Sequence, residues 1–244
     1  MFEYLIYFVI TLILSTVFSI AGLGSAVALV PTLNIVGVSF DLARASGLFV
    51  NFITTVTTSF LNFKNNIFDK KFVLSLVISS SVFAFIGAKI SLVLDEVLIK
   101  TIFGYVLLLI ASMVLFYKKP QTQNNPYSLV VLIFSGSIGG LFSGLLGIGG
   151  GSIISPILFL FGYDAKKISL GISFVIPFSS IVAFSSYASV IELDYLLLLI
   201  LSIAAFMGGI IGNYLLNYKI SSNTIKKILA LALYIIAFKM LLFS

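Results

Sequence analysis

The residues that most clearly suggest a ligand-binding site are four glycines in one apolar stretch, Gly147-Ile148-Gly149-Gly150-Gly151-Ser152, which is followed by Pro156. A glycine costs about 1 kcal/mol in a helix interior and a proline about 3 kcal/mol, so the stretch predicts a break in a helical segment. A helix that restarts after such a break presents unpaired backbone N–H groups and the positive end of its dipole. Both attract anions, and the stretch is therefore a candidate anion-binding site.

A shorter version of the same pattern lies near the start of the chain, at Gly22-Leu23-Gly24-Ser25-Ala26 with Pro31. Aligning the two prolines also aligns Gly22 with Gly147 and Gly24 with Gly149. Each pattern is followed by a span with several polar residues, by two more apolar spans and by a basic end. The sequence therefore indicates an internal duplication, a construction that is common among secondary transporters.

The composition is that of a membrane protein. Of the 244 residues, 60% are hydrophobic and 9% are charged, whereas about a quarter of the residues of a soluble domain carry a charge. Apolar runs long enough to span a bilayer recur along the whole chain. The first run, residues 5–21, lacks a basic region before it and a cleavage site after it, so we expect a mature span rather than a signal peptide.

The absence of two residue types from the sequence excludes several kinds of functional site. The chain has no cysteine and no histidine, which removes disulfides, thiolate chemistry and imidazole metal sites. We therefore expect neither a metal nor a cofactor. The net charge of +6 comes from scattered loop lysines, so it bears on membrane topology and not on nucleic-acid binding.

The predicted fold class is an all-α polytopic membrane protein made of two inverted repeats, each with about five hydrophobic segments and a Gly/Pro-broken second segment. The domains are an N-terminal membrane repeat (1–117), a polar cytoplasmic linker (118–126) and a C-terminal membrane repeat (127–244). The predicted segments are 4–20, 25–38, 43–63, 70–93 and 97–117 in the first repeat, and 128–146, 151–162, 167–190, 193–217 and 222–243 in the second.

Charge favours the inverted arrangement. Segments 25–38 and 151–162 are short for a hydrocarbon core of about 30 Å, so they either cross the membrane or are re-entrant. If all segments cross, ten of the 14 basic residues lie on one face and four on the other; re-entrant segments would divide them six against eight. The positive-inside rule thus predicts a multi-pass protein of the cell membrane with both termini outside.

The second glycine motif, followed by Gly162, Lys167 and Gly171-Ile172-Ser173, resembles that of the sulfite exporter TauE/SafE family. The first motif departs from the family pattern, because it keeps two glycines and has small residues in place of the other two. The resemblance covers essentially the whole chain. It implies two related halves and the transport of small anions, especially sulfite and organosulfonates, without determining the substrate.

The candidate substrate-binding residues come from the two breaks and from the polar segments that follow them. Ser25 and Ser152 lie at or near helix N-caps, where a hydroxyl adds a donor, and Asn51 and Ser173 lie early in the third segments. The full set is Gly22, Gly24, Ser25, Asn51, Gly147, Gly149, Gly150, Gly151, Ser152 and Ser173. The alternative for these glycines is helix packing, and for the polar residues it is bonding to helix carbonyls.

Other residues have simpler interpretations. Gly136, Gly140 and Gly144 recur at every fourth position, which predicts a face for close helix packing. Arg44 follows the first broken segment as Lys167 follows the second, and either could attract an anion at a mouth. Topology marking explains Lys167 equally well.

We therefore predict a secondary transporter or permease that moves a small anion of the sulfite or organosulfonate class by alternating access. An anion channel of the same architecture is the first alternative. An intramembrane enzyme would need clustered nucleophiles, bases or metal ligands, and the sequence has no such set, so we expect no enzyme. The expected partners are the anion and the lipid bilayer. Direction, coupling ion and oligomeric state stay open.

Overall fold

The computed structural model describes residues 2–21, 24–62, 70–116, 128–163, 165–217 and 222–242. These residues form ten α-helices and no strand, so the predicted all-α class is confirmed. The linker 118–126 lies outside the described residues. The helices are α1 (Phe2–Ala21), α2 (Ala26–Ile35), α3 (Phe40–Asn62), α4 (Lys70–Ser91), α5 (Glu96–Phe116), α6 (Leu129–Leu146), α7 (Gly151–Leu160), α8 (Ala165–Ala188), α9 (Tyr195–Asn217) and α10 (Ser222–Leu242).

The described helices have the properties of a membrane bundle. Five of them are long and apolar enough to cross a membrane: α4, α6 and the main parts of α5, α8 and α9. Their outer faces are apolar, as on α4, where Leu74, Ile78 and Val82 follow one another at helical spacing and are 59%, 57% and 53% exposed. Such a stripe is stable in lipid and unfavourable in water. The chain is therefore an integral, multi-pass membrane protein.

The two predicted breaks are confirmed. Helix α6 ends at Leu146 and α7 begins at Gly151, and Gly147 and Gly149 between them have φ values of +74° and +73°. Gly24, which precedes α2, has a φ of +81°. Residues with a Cβ avoid this left-handed region at a cost of about 1–2 kcal/mol, so glycine makes the breaks possible. Helices α2 and α7 each have ten residues, with a proline at the sixth.

Glycines set the closest helix contacts. A Cβ built on Gly136, Gly140 or Gly144 of α6 would overlap Ser79, Ser80 or Ala84 of α4. The prediction that these three glycines serve packing is confirmed. In α9, Gly208 and Gly212 approach α1 in the same way.

The pattern of helix contacts is unchanged when the first five helices are exchanged with the last five. The pair α1–α9 becomes α6–α4, the pair α4–α8 becomes α9–α3, and α2–α3 becomes α7–α8. The pairs α3–α8 and α5–α10 are each converted into themselves, and both are in contact. Helices α3 and α8 therefore lie where the two sets of five meet.

Helices α3 and α8 run in opposite directions. Asn51 near the middle of α3 contacts Ser180, whereas Ser59 further along α3 contacts Ser173, which precedes Ser180 in α8. In contrast, α4 runs in the same direction as α8, because Phe72 lies beside Gly171 and Ser91 lies beside Tyr187. The start of α3 and the ends of α4 and α8 consequently lie at the same end of the bundle.

The α4–α6 interface can be tested with a matched pair of alanines. The Cβ of Gly140→Ala would overlap the Ser80 carbonyl, whereas that of Gly209→Ala would lie 3.4 Å from its nearest neighbour, the Thr54 carbonyl oxygen. We expect Gly140→Ala to lower the free energy of unfolding by about 1–3 kcal/mol through overpacking. Gly209→Ala should be neutral or stabilising, because alanine favours a helix by about 1 kcal/mol. Unfolding of the detergent-purified variants measures both, and equal losses would contradict the packing assignment.

Candidate anion-binding site

The side chain of Asn51 lies between the two breaks. Asn51 is fully buried, and a Cβ built on Gly24 would overlap its Oδ1 while a Cβ built on Gly149 would overlap its Nδ2. Both glycines are in the left-handed region, so backbone conformation and lack of space each require glycine at these positions. The two breaks, 125 residues apart in sequence, thus meet around one amide.

The hydrogen bonds of Asn51 are incomplete. Its Nδ2 donates to Ser180 Oγ of α8 at 3.1 Å. Its Oδ1 is buried without a hydrogen-bond partner among the described residues. An unpaired buried acceptor costs about 1–3 kcal/mol, and an anion cannot donate to it. The group that an anion can use is the second N–H of Nδ2, because an amide NH2 has two donors and the bond to Ser180 uses one.

Two helices begin beside this amide. In α2 the first helical bonds run from Ala28 and Leu29 N–H to the Ser25 carbonyl, at 3.2 and 3.0 Å. In α7 the corresponding bonds run from Ile153 and Ile154 N–H to the Gly150 carbonyl, at 3.1 and 2.9 Å. The N–H groups before these bonds have no partner within their own helix. Each helix also directs the positive end of its dipole toward the break.

The two predicted serines have different local roles. Ser25 is buried and is the N-cap residue of α2, but its side chain makes no capping bond to that helix. Instead it accepts a hydrogen bond from Ser15 Oγ of α1 at 3.3 Å. Ser152 is also buried and donates to the Gly149 carbonyl at 3.2 Å. Both hydroxyls therefore lie at the breaks, one joined to a neighbouring helix and one to its own loop.

The remaining glycines of the second break lie against other helices. A Cβ on Gly147 would come within 2.7 Å of Arg44 Cβ, and one on Gly150 within 3.3 Å of the Gly139 carbonyl oxygen. Gly151 lies against Ile172 and Ile176 of α8. These three glycines thus make close packing contacts, whereas Gly24 and Gly149 contact the Asn51 amide. Gly22 lies outside the described residues.

The structure does not bring Ser173 to Asn51. Ser173 is half-buried, and its carbonyl accepts a bond from Ser59 Oγ at 2.7 Å. It precedes Ser180 by seven residues, which is about 10 Å along a helix. Ser180 takes the place beside Asn51, because α3 and α8 run antiparallel: Asn51 in the middle of α3 meets Ser180, and Ser173, earlier in α8, meets Ser59, later in α3. Sequence reasoning did not select Ser180 for the site, and the expected inversion of the repeats was the signal that favoured it over Ser173.

Most of the hydroxyls that follow Asn51 in α3 bind to their own helix. Thr54, Thr55 and Thr57 donate to the carbonyls of Val50, Asn51 and Ile53, at 2.9, 2.6 and 2.8 Å. Threonine commonly makes this bond inside a helix. The hydroxyls of these three threonines are therefore used in bonds to helix carbonyls and not in a binding site. The polar side chain that α3 contributes to the candidate site is that of Asn51.

Two broken helices that meet inside an all-helical, lipid-exposed bundle are typical of membrane transporters. The comparisons with known proteins agree. A profile described as Sulfite exporter TauE/SafE matches residues 7–240, and the chain belongs to this family. Probable membrane transporter protein YunE of Bacillus subtilis is 26% identical, over 96% of each chain. Probable membrane transporter protein MJ0441 of Methanocaldococcus jannaschii is 33% identical, over 69% of this chain and 66% of its own.

The contact between Gly149 and Asn51 can be tested by a double-mutant cycle. Gly149→Ala and Gly162→Ala both place alanine at a positive φ, but a Cβ at Gly162 meets nothing within 4 Å. Both should lose about 1–2 kcal/mol through backbone strain, and Gly149→Ala should lose more because it collides with Asn51. Asn51→Ala should relieve that excess, giving a coupling energy of about 0.5–3 kcal/mol with Gly149→Ala. Additive effects of the two substitutions would show that the side chains do not meet.

Proposed function

We propose that the protein is a secondary transporter that moves a small anion of the sulfite or organosulfonate class across the cell membrane by alternating access. The observation that carries the proposal is the Asn51 amide between Gly24 and Gly149, at the starts of α2 and α7. The anion would accept hydrogen bonds from the free N–H groups of these two helices. Ser180 on α8 would hold the Asn51 amide in place.

The charge around the breaks supports an anion as substrate. The described acidic residues lie at helix ends or in connecting turns: Glu3, Asp41, Asp95, Glu96, Glu192 and Asp194. The groups that converge on the breaks are instead backbone N–H groups, hydroxyls and one amide. In a site shielded from water, such dipoles interact with a negative charge far more strongly than they would in solution.

The sulfite and sulfonate class suits this set of donors. These ions have three oxygens that point in different directions, and donors reach the breaks from three sides, namely α2, α7 and the α3–α8 pair. The family description names sulfite, which supports the same class. The full burial of Ser25, Asn51 and Ser152 supports a small ion rather than a bulky one.

The packing supports an inverted repeat. An axis in the membrane plane that relates two halves makes equivalent helices antiparallel, and the equivalent helices α3 and α8 run in opposite directions. An axis along the membrane normal would make them parallel. In the inverted arrangement α2 and α7 cross the bilayer rather than re-enter, the linker 118–126 is cytoplasmic and both termini are outside. The breaks then lie near the midplane, where alternating access needs a site.

A transporter and a channel differ in whether a continuous aqueous path passes the ion site. Asn51, Ser25 and Ser152 have no exposed surface in this conformation, as expected for a transporter with a closed site and equally for a closed channel. Transport measurements separate the two. Large unitary currents in a planar bilayer would favour the channel, and saturable counterflow would favour the transporter.

A negative charge at the breaks should stop anion transport. Asn51→Asp would place a carboxylate beside the bound anion, and like charges about 4 Å apart repel by about 4 kcal/mol at an effective dielectric constant near 20. We expect a loss of methanesulfonate flux into proteoliposomes of more than about 100-fold. The control is Asn34→Asp at the far end of α2, where Asn34 binds the Val38 carbonyl. Equal flux in the two variants would contradict the proposed site.

The topology can be tested because the chain has no native cysteine. Val93, between α4 and α5, is 87% exposed, and Gln121 belongs to the linker. In intact cells a membrane-impermeant maleimide should label Val93→Cys, and should label Gln121→Cys only after permeabilisation. The reverse pattern would invert the proposed orientation, and labelling of both sites in intact cells would place them on one face.

A further inference from the structure

Arg44 is the largest side chain that the described structure buries completely, with 2% of its surface exposed. Its guanidinium donates to the Asp41 carboxylate and to Ser91 Oγ, and to the Leu145 carbonyl at 3.1 Å. A buried arginine in a membrane protein is costly unless it is paired, and such residues commonly mark a functional site. The contacts of Arg44 therefore need an explanation.

The guanidinium joins the ends of four helices. Arg44 and Asp41 belong to the start of α3, Ser91 ends α4, and Leu145 lies in the last turn of α6. Tyr187, in the last turn of α8, contributes its hydroxyl, which lies 2.8 Å from Ser91 Oγ and 2.7 Å from the Gly144 carbonyl oxygen. Its ring centroid is 5.1 Å from the guanidinium carbon. We call Asp41, Arg44, Ser91 and Tyr187 the Arg44 cluster.

The cluster lies over the candidate site. The Cα and Cβ of Arg44 lie against Gly147, where a Cβ would come within 2.8 and 2.7 Å of them. Arg44 also precedes Asn51 by seven residues on α3, about 10 Å along the helix. An anion that moves between the breaks and the face that holds the start of α3 would therefore pass close to this guanidinium.

Two features show that the pairing of Arg44 is incomplete and open to exchange. The Nε atom is buried without a hydrogen-bond partner among the described residues, although guanidinium can bind an oxyanion through two donors. The carboxylate partner has the opposite exposure, since the Asp41 side chain is 52% exposed and that of Arg44 is 2% exposed. A solvated carboxylate thus neutralises a buried cation that still has a free donor.

We propose that Arg44 is a further binding residue for the transported anion, and that the Asp41 carboxylate occupies its place as an internal counter-ion. The entering sulfite or sulfonate displaces Asp41, which moves into water, and the anion then proceeds to the breaks. This inference rests on the proposed function. It adds a residue to the path and a step of anion exchange at the end of the bundle where α3 begins.

The exchange follows from charge and geometry. The buried guanidinium keeps a negative partner throughout, so the cost of an unpaired buried charge is avoided. A sulfonate presents two adjacent oxygens to Nε and a terminal nitrogen, whereas chloride presents a single point. Asp41 is on the same helix as Arg44, so that end opens when the guanidinium turns toward the anion and leaves Ser91 of α4 and the Leu145 carbonyl of α6. Anion entry is thereby coupled to opening.

The alternative is a static clamp, in which Arg44 only holds four helix ends together. A clamp and an exchange site differ in their response to anions, because only an exchange site opens when an oxyanion competes with Asp41. The Glu96–Lys100 pair is a suitable control. These two residues form an ion pair on α5, with 2.6 Å between Lys100 Nζ and Glu96 Oε1. The Glu96 side chain is 52% exposed, as is that of Asp41.

The test is maleimide labelling of purified Ser91→Cys in detergent, where both faces are accessible. Ser91 is 2% exposed, and a cysteine of similar size there is covered by the cluster. We expect slow labelling that rises about tenfold with saturating methanesulfonate or acetate and stays slow with chloride. Asp41→Asn should raise the rate without any anion, and Glu96→Gln should not. Ser80→Cys, on the same helix and fully buried, should stay unreactive under all conditions.

Labelling unchanged by both oxyanions would overturn the exchange and leave a static clamp. A parallel rise at Ser80→Cys would show general loosening and overturn it as well. Methanesulfonate flux, measured on the same preparation in vesicles, tests the proposed function separately. If flux is present and labelling does not respond, the exchange fails and the transporter stands. If flux is absent, the substrate class fails, and acetate, the analogue of the Asp41 carboxylate, still decides whether the exchange occurs.

Discussion

The structure depends on the rule that a backbone inside a bilayer must have partners for its polar groups. Two apolar segments of this chain interrupt their helical hydrogen bonds at glycines with a left-handed backbone, which are Gly24 in the first segment and Gly147 and Gly149 in the second. The fold shields the breaks from lipid by bringing them together and covering them with α3 and α8, while the first N–H groups of α2 and α7 stay available to a ligand. The Asn51 amide fills the space that two missing Cβ atoms leave, so the same contact closes the breaks and creates the polar centre of the bundle.

The other helices form a frame around this centre. The pairs α1–α9 and α4–α6 approach so closely that a methyl group on Gly208, Gly140 or Gly144 would meet the neighbouring helix. Interfaces built from small residues suit units that move as rigid bodies in lipid, where no hydrophobic effect holds helices together. The α3–α8 pair has larger contacts, such as Phe49 against Phe184 with ring centroids 4.8 Å apart. The α3–α8 pair lies between these closely packed helix pairs, so rocking of one set of helices against the other would change its contacts.

Much of this architecture could be predicted from the sequence, because glycine, proline and apolar run length act locally. The described helix ends lie within a few residues of the predicted segments, and the packing face of Gly136, Gly140 and Gly144 follows from spacing alone. The partners across helices could not be predicted in the same way. Spacing along one chain does not show that Ser180 rather than Ser173 meets Asn51, or that Arg44 is buried under Tyr187 instead of open at a mouth. These facts depend on helix direction and rotation.

The proposed transport requires that the anion be held where the two breaks meet around Asn51. The most direct measurement is anomalous diffraction from crystals of the protein grown with selenite, which has the shape and charge of sulfite and contains a strong anomalous scatterer. We expect a selenium peak within hydrogen-bonding distance of the Asn51 amide and the first N–H groups of α7. A peak elsewhere, with none at the breaks, at selenite concentrations that saturate transport, would show that the anion does not bind at the breaks.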